Sequence, residues 1–276
     1  MTHAVRMIDE HQSVEAELVR PPLKWAGGKR WQIQHLLEYW GPLRDRRLVE
    51  PFAGGLAVTL GLNPKKALLN DINPHLINFY RWLKVGLVIA EKFAHNESAY
   101  YRARKRFNDL LMMGEQGSVE AAGLFYYLNR TGYNGLCRFN LSGRFNVPFG
   151  QHPKLNYKYD FTEFKSVFAD WTFTNTHFKE VPLEPTDFVY ADPPYDVEFT
   201  KYSKDGFTWD DQLQTAEWLS KHDGPVILSN QATKRIVDEY QRLGFVIRTL
   251  DAPRKISCTG DRSPAVEVLA IRNLPT

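Results

Sequence analysis

Asp192-Pro193-Pro194-Tyr195 concentrates more chemistry into four residues than any other stretch of this 276-residue chain. It directly follows Asp187–Ala191 (DFVYA), a short apolar run with the composition of a buried strand. In an open α/β sheet, ligands bind at the carboxyl ends of strands, which is where this motif falls. Asp192 offers a side-chain oxygen, Pro193 a carbonyl held by a stiff Pro-Pro backbone, and Tyr195 a ring face. That set suits an exocyclic amine on a planar ring. Such an amine is a poor nucleophile, because its lone pair is delocalised into the ring. Acceptors on both N–H bonds draw the nitrogen toward tetrahedral geometry and localise the pair. A plain strand-ending turn would also accept Asp and Pro, so the motif draws its weight from its neighbours.

Two other segments supply those neighbours. Pro51-Phe52-Ala53-Gly54-Gly55 closes the apolar run Leu48–Phe52 and precedes a helical pattern at Leu56–Leu62. Asp71 ends the next apolar run, Ala67–Leu69. A glycine turn lets backbone approach a ligand, and an acid some 20 residues on accepts ribose-like donors. GxGxxG is absent, which speaks against a dinucleotide. The second segment is Pro22-Leu23-Lys24-Trp25-Ala26-Gly27-Gly28-Lys29. It lacks the phosphate-loop pattern, because Arg30 stands where Ser or Thr is needed. Lys29 can instead meet a carboxylate, and Trp25 can face a sulfonium.

The elements that must hold these residues follow an α/β rhythm. Residues 1–19 read as an N-terminal tail with a short helical pattern. Trp31–Trp40 has helical spacing, and residues 75–115 read as helical throughout. Phe139–Phe145 reads as a hairpin with Gly143 in its turn. Strands are expected at 171–175, 187–191, 225–229, 245–250 and 265–271, with helices near 209–222 and 231–243. The fold class is therefore α/β, with a catalytic unit of residues 20–80 and 160–276 interrupted by an insertion at 81–159.

The insertion differs in charge. Residues 101–158 carry nine Lys or Arg and three acids, and no Asp or Glu lies between Ala121 and Tyr159. Arg102, Arg104, Lys105, Arg106, Arg130, Arg138 and Arg144, interleaved with Tyr and Phe, suit a phosphate backbone and bases. The chain as a whole has a net charge of +3. Two cysteines far apart, Cys137 and Cys258, with no CxxC or HExxH, argue against a disulfide framework or a zinc cluster, so no metal is expected. The polar, acidic N-terminus does not read as a signal peptide, and no 18-residue apolar run suggests a membrane span. A cytoplasmic protein is expected.

In order along the chain, PPLKWAGGKR (21–30), LVEPFAGG (48–55), LLNDIN (68–73), YLNRTGYNGLCRFNLSGRFNVPFG (127–150), VYADPPY (189–195), ILSN (227–230) and RKIS (254–257) resemble the Dam-type DNA adenine-N6 methyltransferases, the D12 class alpha group. The resemblance spans residues 20–272. It implies a Rossmann-like sheet with an antiparallel last strand, plus a mostly helical target recognition domain with a β-hairpin. The implied cofactor is S-adenosyl-L-methionine. Trp25, Ala26, Gly27 and Lys29 would line its methionine end, and Phe52, Gly54 and Gly55 its floor. Asp71 and Ile72 would hold ribose and adenine, with Phe178 packing on the adenine. Asp192 would face both the cofactor amine and the target amine, and Lys24, Asn134, Leu136 and Arg138 would reach base edges or fill the duplex. Residues 81–125 and the turn Leu141–Arg144 depart from the pattern, which bears on the recognised sequence and not on the reaction.

The expected function is site-specific methylation of a flipped-out adenine in double-stranded DNA, by a monomer or homodimer without an obligate protein partner. Two other readings compete. One is the same chemistry on cytosine N4, RNA adenine or a protein glutamine; Asp192 and the insertion favour DNA adenine. The other is an inactive nucleic-acid-binding relative, which the intact cofactor motifs oppose.

Overall fold

The computed structural model describes residues 19–151, 157–195, 206–253 and 265–274. RKIS (254–257), Cys258, Lys154 and most of the expected tail lie outside the described residues. One sheet, its central strands near-continuous apolar runs buried on both faces, is built from seven strands. These are β1 (Arg47–Glu50), β2 (Lys66–Asn70), β3 (Trp171–Thr174), β4 (Phe188–Ala191), β5 (Val226–Gln231), β6 (Val246–Ala252) and β7 (Ala265–Arg272). Their order is β3-β2-β1-β4-β5-β7-β6. All neighbours from β3 to β5 run parallel, and β7 runs antiparallel between β5 and β6. The expected antiparallel last strand is thus present, inserted one place in from the sheet edge.

Short helices link the strands: α1 (Ile33–Trp40), α2 (Ala57–Leu62), α3 (Pro74–Lys84), α6 (Phe164–Val167), α7 (Trp209–Ser220) and α8 (Lys234–Arg242). Local chemistry sets their starts. Asn73 accepts from the backbone of His75 and Leu76, and Pro74 occupies the first helical position, so the chain turns into α3 directly after Asp71-Ile72. Thr208 and Asp211 close a capping box on α7.

The stretch expected to be helical over 75–115 is two helices. α3 ends at Lys84, and α4 (Glu97–Met112) starts on an Asn96 cap. Between them the chain leaves the sheet layer beside its own return path. Ile89 N–H bonds Tyr159 carbonyl at 2.8 Å, and Phe161 N–H bonds Leu87 carbonyl at 2.9 Å. Helical spacing of apolar residues persists across the break, which is why the pattern alone merges the two. A third helix, α5 (Val119–Thr131), went unseen because it is apolar almost all round: ten of its residues are buried. It packs between α3 and α4, so one continuous body of buried side chains joins the sheet and the excursion.

Candidate active site

β1 and β4 are adjacent and parallel, with Val49 opposite Val189. From β1 the chain order steps to β2 on one side and to β4 on the other, the switch point at which open α/β sheets bind ligands. A cleft of ≈ 770 Å³ opens there. It brings together Trp25, Ala26, Gly27, Lys29, Phe52, Gly54, Gly55, Asp71, Ile72, Phe178 and Asp192–Tyr195 from five separate segments.

The glycines at 54 and 55 have a different neighbour from the one the sequence suggests. A Cβ on Gly55 would lie 2.6 Å from Trp25 Cβ, and one on Gly54 3.0 Å from Trp25 Nε1. They make room for the Trp25 indole first, and shape the cleft floor through it. Asp71 is tied as well: its carboxylate accepts from Gly54 N–H at 3.0 Å and Asn73 N–H at 2.9 Å. Burial raises its pKa, and those two bonds oppose the rise. Ile72 is exposed at the rim, while Phe178 is buried against Phe52 at a centroid distance of 5.4 Å.

Asp192 is the most unusual group. Its Oδ1 is buried without a hydrogen-bond partner among the described residues. Burial pushes its pKa from 3.8 up to about 7; Lys29 opposes the rise and Glu267 adds to it. Pro194 carbonyl accepts from Gln212 Nε2 at 2.7 Å, and Gln212 in turn holds Asn230 at 2.9 Å, so α7 and β5 pin the Pro-Pro segment. Tyr195 is not simply an open face: Lys29 Nζ stands 4.2 Å from its ring centroid, and its hydroxyl donates to Glu267 Oε2 at 2.7 Å.

Sequence reasoning missed Gln32, Glu50, Ser229 and Glu267. Gln32, Ser229 and Glu267 form one buried polar network with Tyr195 and Tyr190. Glu50, at the end of β1, is buried, bonded by Thr59, and has its pKa pushed up to about 8 by desolvation. The available signal was an acid inside an apolar strand: Glu50 in LVEPF and Glu267 in AVEVLAI.

The candidate DNA-reading residues other than Lys24 lie in the excursion, and the free protein occupies most of them. Asn134 has φ +51 at an exposed turn with Leu136 beside it. Arg138 donates to Asn146 Oδ1 at 2.8 Å, across the hairpin closed by the Phe139–Phe145 bridge. Arg144 lies against Met112. On α4, Arg102 bonds Ser98 and Lys105 bonds Asp109, each at 2.7 Å. Arg104 donates to Val147 carbonyl at 2.9 Å, and Arg106 holds both oxygens of Glu120 at 2.6 Å. Of the four cations on this helix, Arg104 is half-buried, and Lys105 and Arg106 are each matched by a carboxylate. Lys24 Nζ donates to Arg130 carbonyl at 3.1 Å, and burial, then the Arg130 charge, lower its pKa.

One clasp joins reading turn and cleft. Asn129 accepts Lys24 N–H at 2.8 Å and donates to Lys24 carbonyl at 2.8 Å and Gly135 carbonyl at 3.1 Å. Gly135 has φ +64, and a Cβ there would fall 2.4 Å from Lys24 Cβ.

A doubly wound sheet whose switch-point cleft ends in an acid, two prolines and a tyrosine defines a group-transfer enzyme for a planar amine. Residues 25–256 match the family model of the D12 class N6 adenine-specific DNA methyltransferases, and the chain belongs to that family. It is 39% identical over 271 residues to the Retron Ec67 DNA adenine methylase of Escherichia coli, covering 90% of each chain. It is 34% identical over 273 residues to a DNA adenine methylase of Vibrio cholerae, covering 90% of this chain and 94% of that one. Identity to the DNA adenine methylase of Escherichia coli K12 is 34% over 270 residues, with 90% and 94% covered. The reaction is methylation of adenine N6 in DNA.

Proposed function

We propose that the methyl donor is S-adenosyl-L-methionine and that the target adenine is flipped out of duplex DNA into the mouth of the cleft, in a bacterial or phage-infected cytoplasm. The carrying observation is Asp192 Oδ1, a buried acceptor without a hydrogen-bond donor among the described residues, at the carboxyl end of β4. A buried acceptor left open is costly, and a site that keeps one is built for an incoming N–H.

The cleft residues fit the cofactor chemically. Asp71 and Ile72 sit where a nucleoside would lie, Phe52 and Phe178 give an aromatic wall, and Trp25, Ala26, Gly27 and Lys29 lead toward Asp192. When bound, the cofactor supplies an activated methyl group. The protein's part is to position and to polarise. Asp192 Oδ1 accepts one N–H of the adenine amine. The Pro193 carbonyl, on a segment pinned by Gln212, accepts the other. Tyr195 gives the base a surface, with its phenol anchored behind it. Lys24, Asn134, Leu136 and Arg138 approach base edges, and Arg102, Lys105, Arg130 and Arg144 approach phosphates.

Labelled methyl incorporation into DNA, RNA and protein, followed by nucleoside analysis, tests this reading. The expected product is N6-methyladenine in DNA alone; label in RNA or in a glutamine would replace it. Calorimetry with S-adenosylhomocysteine tests the cofactor site. Asp71→Ala weakens binding, because a ribose acceptor is lost and Gly54 is released. Unchanged affinity would reduce Asp71 to a loop tie.

A further inference from the structure

The network behind Tyr195 places a second buried carboxylate next to the reacting one. Glu267 lies on β7, whose sequence AVEVLAI would otherwise read as plain core. It is 8% exposed. Its Oε2 accepts from Tyr195 hydroxyl at 2.7 Å and from Gln32 Nε2 at 2.9 Å. Gln32 is fully buried, held in turn by Tyr190 hydroxyl at 2.8 Å, and also reaches Ser229 at 3.1 Å. Lys29 Nζ stands 3.7 Å from Glu267 Oε1 and 3.7 Å from Asp192 Oδ1. It is therefore equidistant from two carboxylates, beyond hydrogen-bond length from either, over the Tyr195 ring.

This balance has a chemical consequence. An ammonium facing Asp192 alone would close to a charge-assisted hydrogen bond of about 2.8 Å. That bond would occupy the oxygen needed by the adenine amine. A competing pull from Glu267, at the same distance, holds the ammonium back, while the Glu267–Tyr195 bond keeps the ring in place beneath it. We propose that Glu267 is a positioning residue for the methyl transfer: it anchors the Tyr195 phenol and counterbalances Lys29, which keeps Asp192 Oδ1 open to the target amine. The proposal rests on the reading of Asp192 as the amine acceptor.

The groups facing Asp192 set the signs of the test. They are Glu50 on β1, Tyr190 on β4, Glu267 on β7, Lys29 and Tyr195, with Asp211 and His177 lining the same cleft. In Glu267→Gln the amide keeps the shape and can still accept from the phenol. With the charge gone, Lys29 moves onto Asp192. The expected result is a kcat lower by about tenfold to a hundredfold, with KM for DNA unchanged. The Asp192 titration, read from labelled carboxyl carbons in the cofactor-free protein and from the acidic limb of kcat/KM, moves to lower pH by about half a unit or more. Tyr195→Phe should act with the opposite sign. The phenol that lowers the Asp192 pKa is gone, and Glu267 loses a donor and draws Lys29 closer, so the Asp192 titration moves up.

An unaltered kcat together with an unmoved Asp192 titration in Glu267→Gln overturns the proposal. If Glu267→Gln does not fold, Glu267→Asp is read in its place: an unaltered kcat together with an unmoved Asp192 titration overturns the proposal. Asp192→Ala, run alongside, keeps the two readings apart. An active Asp192→Ala removes the acceptor reading itself, whereas an inactive one beside a wild-type-like Glu267→Gln removes only the role of Glu267.

Discussion

The cleft and the recognition excursion treat their charged groups in opposite ways. In the cleft, Asp192 Oδ1 is buried without a donor among the described residues, and Lys29 is held short of two carboxylates. In the excursion, Arg138, Arg104 and Arg106 each make close bonds within the free protein. The cleft bears its desolvation cost before any substrate arrives, which is what preorganisation requires. The excursion keeps its cations bonded, so on the proposed reading they exchange partners when DNA docks. An enzyme that must reject wrong sequences but act fast on the right one has reason for both. Binding is a replacement reaction, and chemistry is not.

The largest effect that would break this contrast is at Asp192. Asp192→Ala should lower kcat by about 10²–10³ by analogy with lost oxyanion donors, while DNA binding survives; single-turnover assays and gel shifts check both halves. Asp192→Asn should lose activity and gain stability. The folded carboxyl has its pKa raised from 3.8 to about 7, so the folded state holds a proton that the unfolded chain releases. Its ionisation therefore destabilises the fold progressively as pH rises through that window, fully above about 7. The Tm of Asp192→Asn should exceed that of the wild type at pH 8, by about 2–4 °C for each kcal/mol recovered, and the gap should close toward pH 4. A gap of the same size at both pH values would mean that the gain is not electrostatic.

Next in size is the clasp. Gly135→Ala forces a Cβ into Lys24 at φ +64 and should cost about 1–3 kcal/mol. It should raise the KM for DNA as well as lower Tm, because the reading turn is displaced. Loss of stability alone would limit the clasp to folding.

Arg138→Ala comes third. If the guanidinium leaves Asn146 for a guanine edge, the variant loses about 1–3 kcal/mol on the cognate site and relaxes preference at one base pair. A uniform loss across single-base variants would assign Arg138 to bracing the hairpin. The smallest effect separates the helix cations. Arg102→Ala should flatten the salt dependence of DNA binding by about one unit. Arg106→Ala should change it little, because Glu120 already neutralises that charge. Equal effects at both positions would show that the Arg106–Glu120 pair opens on DNA.

The sequence by itself determined what rests on local order. Strand runs bounded by turns placed the sheet, and Asp192-Pro193-Pro194-Tyr195, Pro51–Gly55 and Asp71 fall at strand ends because each sits within a few residues of its strand. The motif residues therefore converge on one cleft. Helix α5 escaped notice because a helix buried all round has no polar stripe to reveal its period. Which cations are matched was equally out of reach, since Arg106 and Glu120 meet between two helices. Only the tertiary structure could decide the Glu267 network. Gln32, Tyr195, Ser229 and Glu267 come from four segments up to 235 residues apart, and the meaning of each depends on burial and on distances of a few ångströms. Spacing along a chain encodes which face a residue takes. It does not encode which distant charge will be waiting there, nor how far water has been excluded between them, and those two quantities set what a carboxylate can do.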